Sequence, residues 1–187
     1  MTEPVRKYLT EDEVQRLLVR DADPTDKLLV QLGLSLGCRV SEITSLRVKW
    51  INGQIIKIYD EKKNENRHCV IDKETSDLLQ EYLRDYRKVP QGYTRERQRL
   101  FYFSDRTANR KIKRAFQVAG VDASSVPWRF HTLRHTYVRR MLDRLKDRSI
   151  QFICQQTGNS PMTILGYYGV PSIDERLKIA DDYPVIR

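Results

Sequence analysis

Residues 24–47, PTDKLLVQLGLSLGCRVSEITSLR, decide the fold, because they place a strongly apolar segment directly before an embedded arginine. Pro24 and Thr25 are residue types that begin helices, and the run LLVQLGLSL after them is apolar on nearly every side. A helix without a polar face is buried, so we expect it at the centre of a core. Residues 40–47 predict a further helix directly after it.

Arg39 lies at the beginning of that further helix, with apolar side chains around it. A buried arginine has to be paired with a carboxylate or has to bind an anion. Glu42, three residues further on, is placed to hold the guanidinium group. The spacing fits two interpretations, an internal ion pair with no other purpose and an arginine held ready for an anion.

The remaining pattern predicts an α+β fold that is mainly helical, with about three antiparallel strands on one side of a helical core. Thr10 and Glu13 form a capping box that begins a first helix. The segments QIIKIYD (54–60) and RHCVID (67–72) flank a polar run and predict a β-hairpin, and LFYF (100–103) is expected to add a third strand. Helical patterns occupy 73–86, 107–119, 131–145, 148–156, a short segment through 167–168, and a tail at about 172–182. We see no internal boundary, so residues 1–187 are expected to form one domain.

Composition favours a nucleic-acid partner. The 187 residues carry a net charge of +9, and residues 84–114 hold eleven lysines or arginines against three acidic residues, a local net of +8. Clustered cations release counterions when they neutralise phosphates, although a basic stretch can also be plain solvated surface.

No apolar run approaches the roughly 20 residues that cross a bilayer, and the N-terminus has no signal core, so a cytoplasmic location without membrane contact is expected. Three widely spaced cysteines are expected to be reduced.

The segment HTLRHTYVRRML (131–142) places His131 and Arg134 three residues apart, on one face of a helix. Two such arginines, joined by a lysine from the hairpin, would hold one phosphate, since the planar guanidinium donates to two oxygens at once. Taken alone, Arg134 also fits a helical surface arginine. His131 and His135 have metal-ligand spacing, but the glutamate of the HEXXH pattern is replaced by Thr132, so a metal site is disfavoured.

Five segments in chain order resemble the catalytic domain of the tyrosine recombinase or phage integrase family. They are YLTEDEVQRLL, GCRVSEITSLR, a lysine-bearing β-hairpin that ends in R-x-x-V, HTLRHTYVRRML, and TGNS followed by a tyrosine nine residues later. The resemblance covers residues 8–168. It implies a catalytic role for six positions: Arg39, Lys62, His131, Arg134, Asn159 and Tyr168.

The resemblance also implies the role of each position. Arg39 and Arg134 would neutralise the charge that develops on phosphorus, and Lys62 would protonate the leaving 5′-oxygen. Tyr168 would attack the phosphate to form a 3′-phosphotyrosyl link, with His131 managing its proton. Two guanidinium groups do the work of a metal, so no cofactor is expected.

Two assignments keep a neighbour as an alternative, and one position departs from the family pattern. Lys63 could replace Lys62 if the turn shifts by one residue, and Tyr167 is the rival of Tyr168. Asn159 stands where the family usually has histidine or tryptophan. An asparagine still donates a hydrogen bond but does not titrate near neutral pH, which suggests slower or differently regulated chemistry.

The resemblance implies double-stranded DNA as the partner, with a dimer to a tetramer of the chain assembled on it. The tail helix at about 172–182 is expected to dock onto a neighbouring protomer or to pack on its own domain. The N-terminal domain that usually closes around DNA has no counterpart here, so the chain is expected to be a fragment or a minimal form.

Site-specific recombination, as in integration or excision of a mobile element, is the function this pattern indicates. A non-catalytic DNA-binding module of the same fold is the alternative that Asn159 favours. A type IB topoisomerase is the enzymatic alternative, since it uses the same chemistry on one duplex.

Overall fold

The computed structural model describes residues 6–61, 63–94, 98–145 and 149–168. Within them the fold is α+β and mainly helical, as predicted, with one small antiparallel sheet. The helices are α1 (Glu11–Val19), α2 (Pro24–Leu36), α3 (Val40–Thr44), α4 (Lys73–Glu81), α5 (Asp105–Val118), α6 (Phe130–Leu145), α7 (Ser149–Thr157) and α8 (Pro161–Tyr168). The strands are β1 (Ile51–Asn52), β2 (Ile55–Asp60) and β3 (Glu65–Val70). A 3₁₀ turn at Val48–Trp50 precedes β1, and a π-helical turn at Tyr82–Tyr86 extends α4.

Helix α2 is central, as its apolar sequence predicts. Leu28, Leu29, Leu32 and Leu36 have no exposed surface, and α2 contacts α1, α3, α4, α5 and α6. It ends at Gly37, which has a φ of +58°. A Cβ atom there would lie 2.3 Å from the ring of Tyr137, so only glycine lets α6 approach the end of α2 this closely.

The sheet has the order β1-β2-β3, and the predicted hairpin is formed by its last two strands. Asp60 pairs with Glu65 at the turn and Ile55 with Val70 at the far end. Strand β2 therefore ends at Asp60, and β3 begins at Glu65, two residues before the predicted strand.

The prediction of a third strand at 100–103 was wrong, because β1 takes that place. Residues 100–103 make no ladder: the Leu100 N–H donates to the Leu46 carbonyl at 2.7 Å, and an isolated bridge joins Arg47 to Arg99. Buried side chains hold the segment instead, with the rings of Phe101 and Phe103 stacked at 5.0 Å.

Some predicted helix ends also shift. Helix α3 stops at Thr44, three residues before the predicted end, and the fully buried Leu46 turns back into the core. Helix α5 begins two residues early, because Ser104 caps it by accepting a hydrogen bond from the Thr107 N–H. The predicted tail helix at 172–182 lies outside the described residues.

A second, smaller apolar cluster fixes the last two helices to α6. Tyr137 and Val138 of α6 pack with Ile153 of α7 and Ile164 of α8, and each is at most 3% exposed. This packing brings the loop between α7 and α8 against the end of α2 and the beginning of α3. In the part of the chain that the structure describes, no helix is long and apolar enough to cross a membrane.

Candidate active site

Arg39 lies at the N-cap of α3, where the chain leaves α2 through Gly37. Its backbone N–H and its Nη1 donate to the Glu42 carboxylate at 2.6 and 3.2 Å, so the predicted pair is confirmed. The same Nη1 also donates to Asp60 Oδ2 at 2.9 Å. The Arg39 side chain is 28% exposed, so two buried carboxylates hold the guanidinium while part of it faces solvent.

Arg67 on β3 completes a buried group of alternating charges, which we call the arginine–carboxylate cluster: Arg39, Glu42, Asp60 and Arg67. The two terminal nitrogens of Arg67 donate to the two oxygens of Glu42 at 2.7 and 2.9 Å, and the Nε of Arg67 donates to the Gln156 carbonyl at 3.0 Å. Burial is the largest single influence on Arg67 and acts to lower its pKa, but the hydrogen bonds to Glu42, the charge of Glu42 and the neighbouring thiols of Cys38 and Cys69 together outweigh it. The pKa is therefore raised and the group stays charged. The cluster ties the beginning of α3 to the hairpin and to the end of α7.

Arg134 on α6 is 3% exposed and is held by two acceptors from different elements. Its Nη1 donates to the Gly37 carbonyl at 2.8 Å, and its Nη2 donates to Asn159 Oδ1. Within the described residues no carboxylate bonds to this guanidinium, since both acceptors are neutral. Arg134 therefore brings a positive charge without a bonded carboxylate to the junction of α2, α6 and the α7–α8 loop.

Asn159 is positioned by the turn that ends α7. Gly158 there has a φ of +71°, and the Asn159 N–H donates to Thr157 Oγ1 at 3.2 Å. Because Oδ1 accepts from Arg134, the side-chain amide nitrogen remains as a donor on the other side. The residue that departs from the family pattern thus contacts the second arginine directly.

These side chains surround a cleft of about 170 Å³. Its lining consists of Arg39, His131, Arg134, His135, Val138, Asn159 and Thr163. Four of the six predicted site residues therefore meet at one place, although up to 120 positions separate them along the chain. The lining residues come from the N-cap of α3, from α6, from the α7–α8 loop and from α8.

The other two predicted residues are located only in part. Lys62 lies outside the described residues, whereas its neighbour Lys63 in the hairpin turn donates from Nζ to the Gly158 carbonyl at 2.8 Å. Tyr168 is the last residue of α8, directly after Tyr167, and Thr163 of the same helix lines the cleft. Nothing is described for the side chains of these two tyrosines.

His131 and His135 stack edge to face on α6, with ring centroids 4.5 Å apart. Desolvation lowers the pKa of both rings, and that of His135 falls to about 4. The positive charge of Arg134 lowers both values further. The lowered pKa values favour the neutral form of both imidazoles at pH 7.

Asp60, Arg67 and Gln156 help to hold the site together, and none of them was assigned a role in it from the sequence, although Arg67 stands in the R-x-x-V motif. Asp60 follows Ile56 and Ile58 on the buried face of β2. Because alternate residues of a strand share a face, the sequence could have indicated a buried carboxylate at this position. Gln156 accepts from the Val70 N–H at 2.8 Å and donates to the Val70 carbonyl at 2.7 Å, as a neighbouring strand would. It fastens α7 to the edge of β3, and no pattern in the sequence marks it.

The chain is similar to known recombinases along most of its length. The sequence pattern of the phage integrase family matches this chain over residues 7–168. Tyrosine recombinase XerA of Saccharolobus solfataricus is 31% identical over 140 residues, which cover 74% of this chain and 44% of the relative. Tyrosine recombinase XerC of Lactobacillus leichmannii is 29% identical over 160 residues, covering 78% of this chain and 52% of the relative. A crystal structure of a XerA recombinase covers all of this chain and 68% of its own length, with a TM-score of 0.74 and 25% identity. The chain spans about half the length of the curated relatives it matches.

Proposed function

The chain belongs to the phage integrase family, and we propose that it cleaves and rejoins DNA strands at specific sites through a 3′-phosphotyrosyl intermediate. One observation carries the proposal: Arg39 and Arg134, 95 positions apart, line a single cleft together with His131 and Asn159. A stability role for two arginines would call for carboxylate partners at both. Arg134 instead has neutral acceptors and lies beside the open cleft.

The cleft is suited to a phosphodiester whose charge increases during reaction. Arg39 is held by Glu42 and Asp60 but keeps part of its side chain exposed, and Arg134 is fixed by Gly37 and Asn159. Donors fixed before the reaction stabilise developing charge without reorganising, which is the largest contribution in many enzymes. The amide nitrogen of Asn159 supplies a neutral donor that keeps its state at any working pH.

We assign the covalent step to Tyr168. Its hydroxyl oxygen attacks phosphorus, the bond from phosphorus to the 5′-oxygen breaks, and the free 5′-hydroxyl later reverses the step on another strand. The neutral ring of His131 takes the tyrosine proton. Lys62 donates a proton to the leaving oxygen, because the Nζ of the alternative, Lys63, is already bound to the Gly158 carbonyl.

Affinity for the duplex comes from the basic surface that the sequence indicates. Helix α5 buries Ala108, Ile112 and Phe116 and exposes four cations on its other side: Arg106, Arg110, Lys113 and Arg114. Cations of this kind contact phosphates without reading sequence, so their contribution falls steeply with salt. We propose that this activity on duplex DNA is cytoplasmic.

We further propose that copies of the chain, from a dimer to a tetramer, assemble on DNA through the tail at about 172–182. A groove of about 950 Å³ between α1, α2, α4, α6 and α7 has a lining of mixed polarity, whose apolar members include Leu34, Leu78, Met141 and Phe152. The tail carries Ile173, Leu177 and Ile179, an apolar set that fits such a groove on a second copy. Removing residues 172–187 should abolish multimeric complexes on DNA in sedimentation while retaining single-copy binding. Unchanged multimers would rule the tail out.

Covalent trapping tests the function directly. The chain is incubated with a nicked suicide duplex of its own recombination site, and protein–DNA adducts are sought on a denaturing gel. Arg39→Ala and Arg134→Ala should each abolish the adduct while keeping most of the salt-sensitive affinity. Equal loss of binding and cleavage would contradict their catalytic role, and the absence of any adduct with the wild-type chain would favour a binding module.

A further inference from the structure

A second concave surface adjoins the cleft that Arg39 and Arg134 line, near the beginning of α6. It has a volume of about 220 Å³ and is lined by Lys7, Pro127, Arg129, His131, Thr132 and His135. His131 and His135 also line the first cleft, so the two concavities meet along this histidine pair. A ligand that continues out of the first cleft on this side would pass directly into the second.

The segment that carries Lys7 is fastened on both sides of that residue. The Arg6 N–H donates to the Ser125 carbonyl at 2.9 Å, and the Leu9 N–H donates to the buried Thr136 Oγ1 at 2.9 Å. Residues 6–9 therefore lie along α6 in a fixed position.

The turn that carries Arg129 is also held by backbone hydrogen bonds, like the segment that carries Lys7. The Arg129 N–H donates to the Pro127 carbonyl at 3.0 Å, and its own carbonyl accepts from the Thr132 N–H at 3.1 Å. The next residue, Phe130, donates from its N–H to Asn109 Oδ1 on α5 at 3.0 Å. Two exposed cations from distant parts of the chain are thus presented by rigid backbone on either side of one concavity.

The two charged side chains that line this surface, Lys7 and Arg129, are both cations. Among the described residues that line it there is no carboxylate, and the two histidines are neutral at pH 7. Desolvation is the main cause of the lowered pKa of His135, and the charges of Lys7 and Arg129 lower it further, which shows that both cations act on the shared wall. An anion is the ligand that such a surface takes.

We propose that Lys7 and Arg129 together bind a second backbone phosphate of the DNA, next to the phosphate held by Arg39 and Arg134. The proposal rests on the proposed function, because it takes the cleaved strand to pass through the first cleft. A strand presents one phosphate for about every 3.4 Å of helix axis, so two adjoining basic concavities match successive phosphates of one strand. The second contact would fix the register of the strand and leave the chemistry to the first cleft.

The salt dependence of DNA binding tests this subsite with the full chain and any short duplex. The variants are Lys7→Ala, Arg129→Ala, the double variant and Arg129→Lys, and Lys73→Ala serves as control. Lys73 suits that purpose because its side chain is 81% exposed and lies on α4, outside both concavities. The slope of log K against log salt counts neutralised phosphates at about 0.9 each.

If both cations share one phosphate, the double variant loses about 0.9 of the slope, each single variant loses less, and Arg129→Lys and Lys73→Ala stay near wild type. An unchanged slope in the double variant overturns the proposal. A loss of about 1.8 also overturns it, because the two side chains would then neutralise separate phosphates. If the wild-type chain shows no salt-dependent binding, the proposed function fails together with the subsite.

Discussion

Replacing Glu42 by glutamine would remove the centre of the arginine–carboxylate cluster. The carboxylate is 3% exposed and accepts four hydrogen bonds, two from Arg39 and two from Arg67, at 2.6–3.2 Å. A glutamine keeps one acceptor oxygen but turns an N–H₂ group toward a guanidinium and removes the compensating charge. Breaking a buried ion pair on one side costs about 3–5 kcal/mol, and Asp60 limits the loss to the lower part of this range by still holding Arg39.

Urea and thermal unfolding measure this cost. For a chain of this length each kcal/mol lowers Tm by about 2–4 °C, so Glu42→Gln should melt about 6–12 °C below wild type. Asp77→Asn is the matched control, because its pair with Lys73 is 64% exposed on the acidic side and should cost less than about 0.5 kcal/mol. A Glu42→Gln chain within about 1 kcal/mol of wild type would show that the cluster does not hold the site together.

Two further predictions concern pH and backbone geometry. The folded pKa of His135, about 4, lies below the ordinary 6.5, so the unfolded chain gains a proton first on acidification, and stability should fall as pH drops from about 6.5 to about 4. His135→Gln should flatten that part of the stability curve measured by urea unfolding, and an unchanged slope would contradict a neutral, half-buried ring. Gly158→Ala should cost about 1–2 kcal/mol for its left-handed backbone and more for crowding, since a Cβ would lie 3.2 Å from Arg67 and 3.3 Å from Asp60. Gly53→Ala has a similar φ of +57° with open space around it, so equal losses at both glycines would refute the crowding.

Most helices and the hairpin could be predicted because their signals are local. The capping box at Thr10 and Glu13 forms as expected, with bonds of 3.3 and 2.7 Å, and α2 is buried as its composition requires. The third strand could not be predicted in this way. Residues 100–103 are as apolar as a strand, and the decision between a ladder and plain burial depends on tertiary neighbours such as Leu46.

In the candidate site, too, the residues in local motifs could be predicted from the sequence, whereas the residues that hold them through long-range contacts could not. Arg39, Arg134 and His131 stand in recognisable motifs, and their convergence in one cleft follows the family pattern. The residues that hold them were not predictable, since Gln156 bonds to Val70 and Arg67 bonds to Glu42 across 86 and 25 positions. Contacts over such separations leave no period in the sequence.

The central claim is that Tyr168 forms the covalent link to DNA, and peptide mapping of the trapped adduct tests it most directly. Trypsin should release residues 149–176 as one peptide that carries both Tyr167 and Tyr168, and tandem mass spectrometry of the nuclease-trimmed adduct can then distinguish the two. We expect the nucleotide mass on Tyr168, with the adduct lost in Tyr168→Phe and kept in Tyr167→Phe. A nucleotide on Tyr167, or an adduct that survives Tyr168→Phe, would contradict the account.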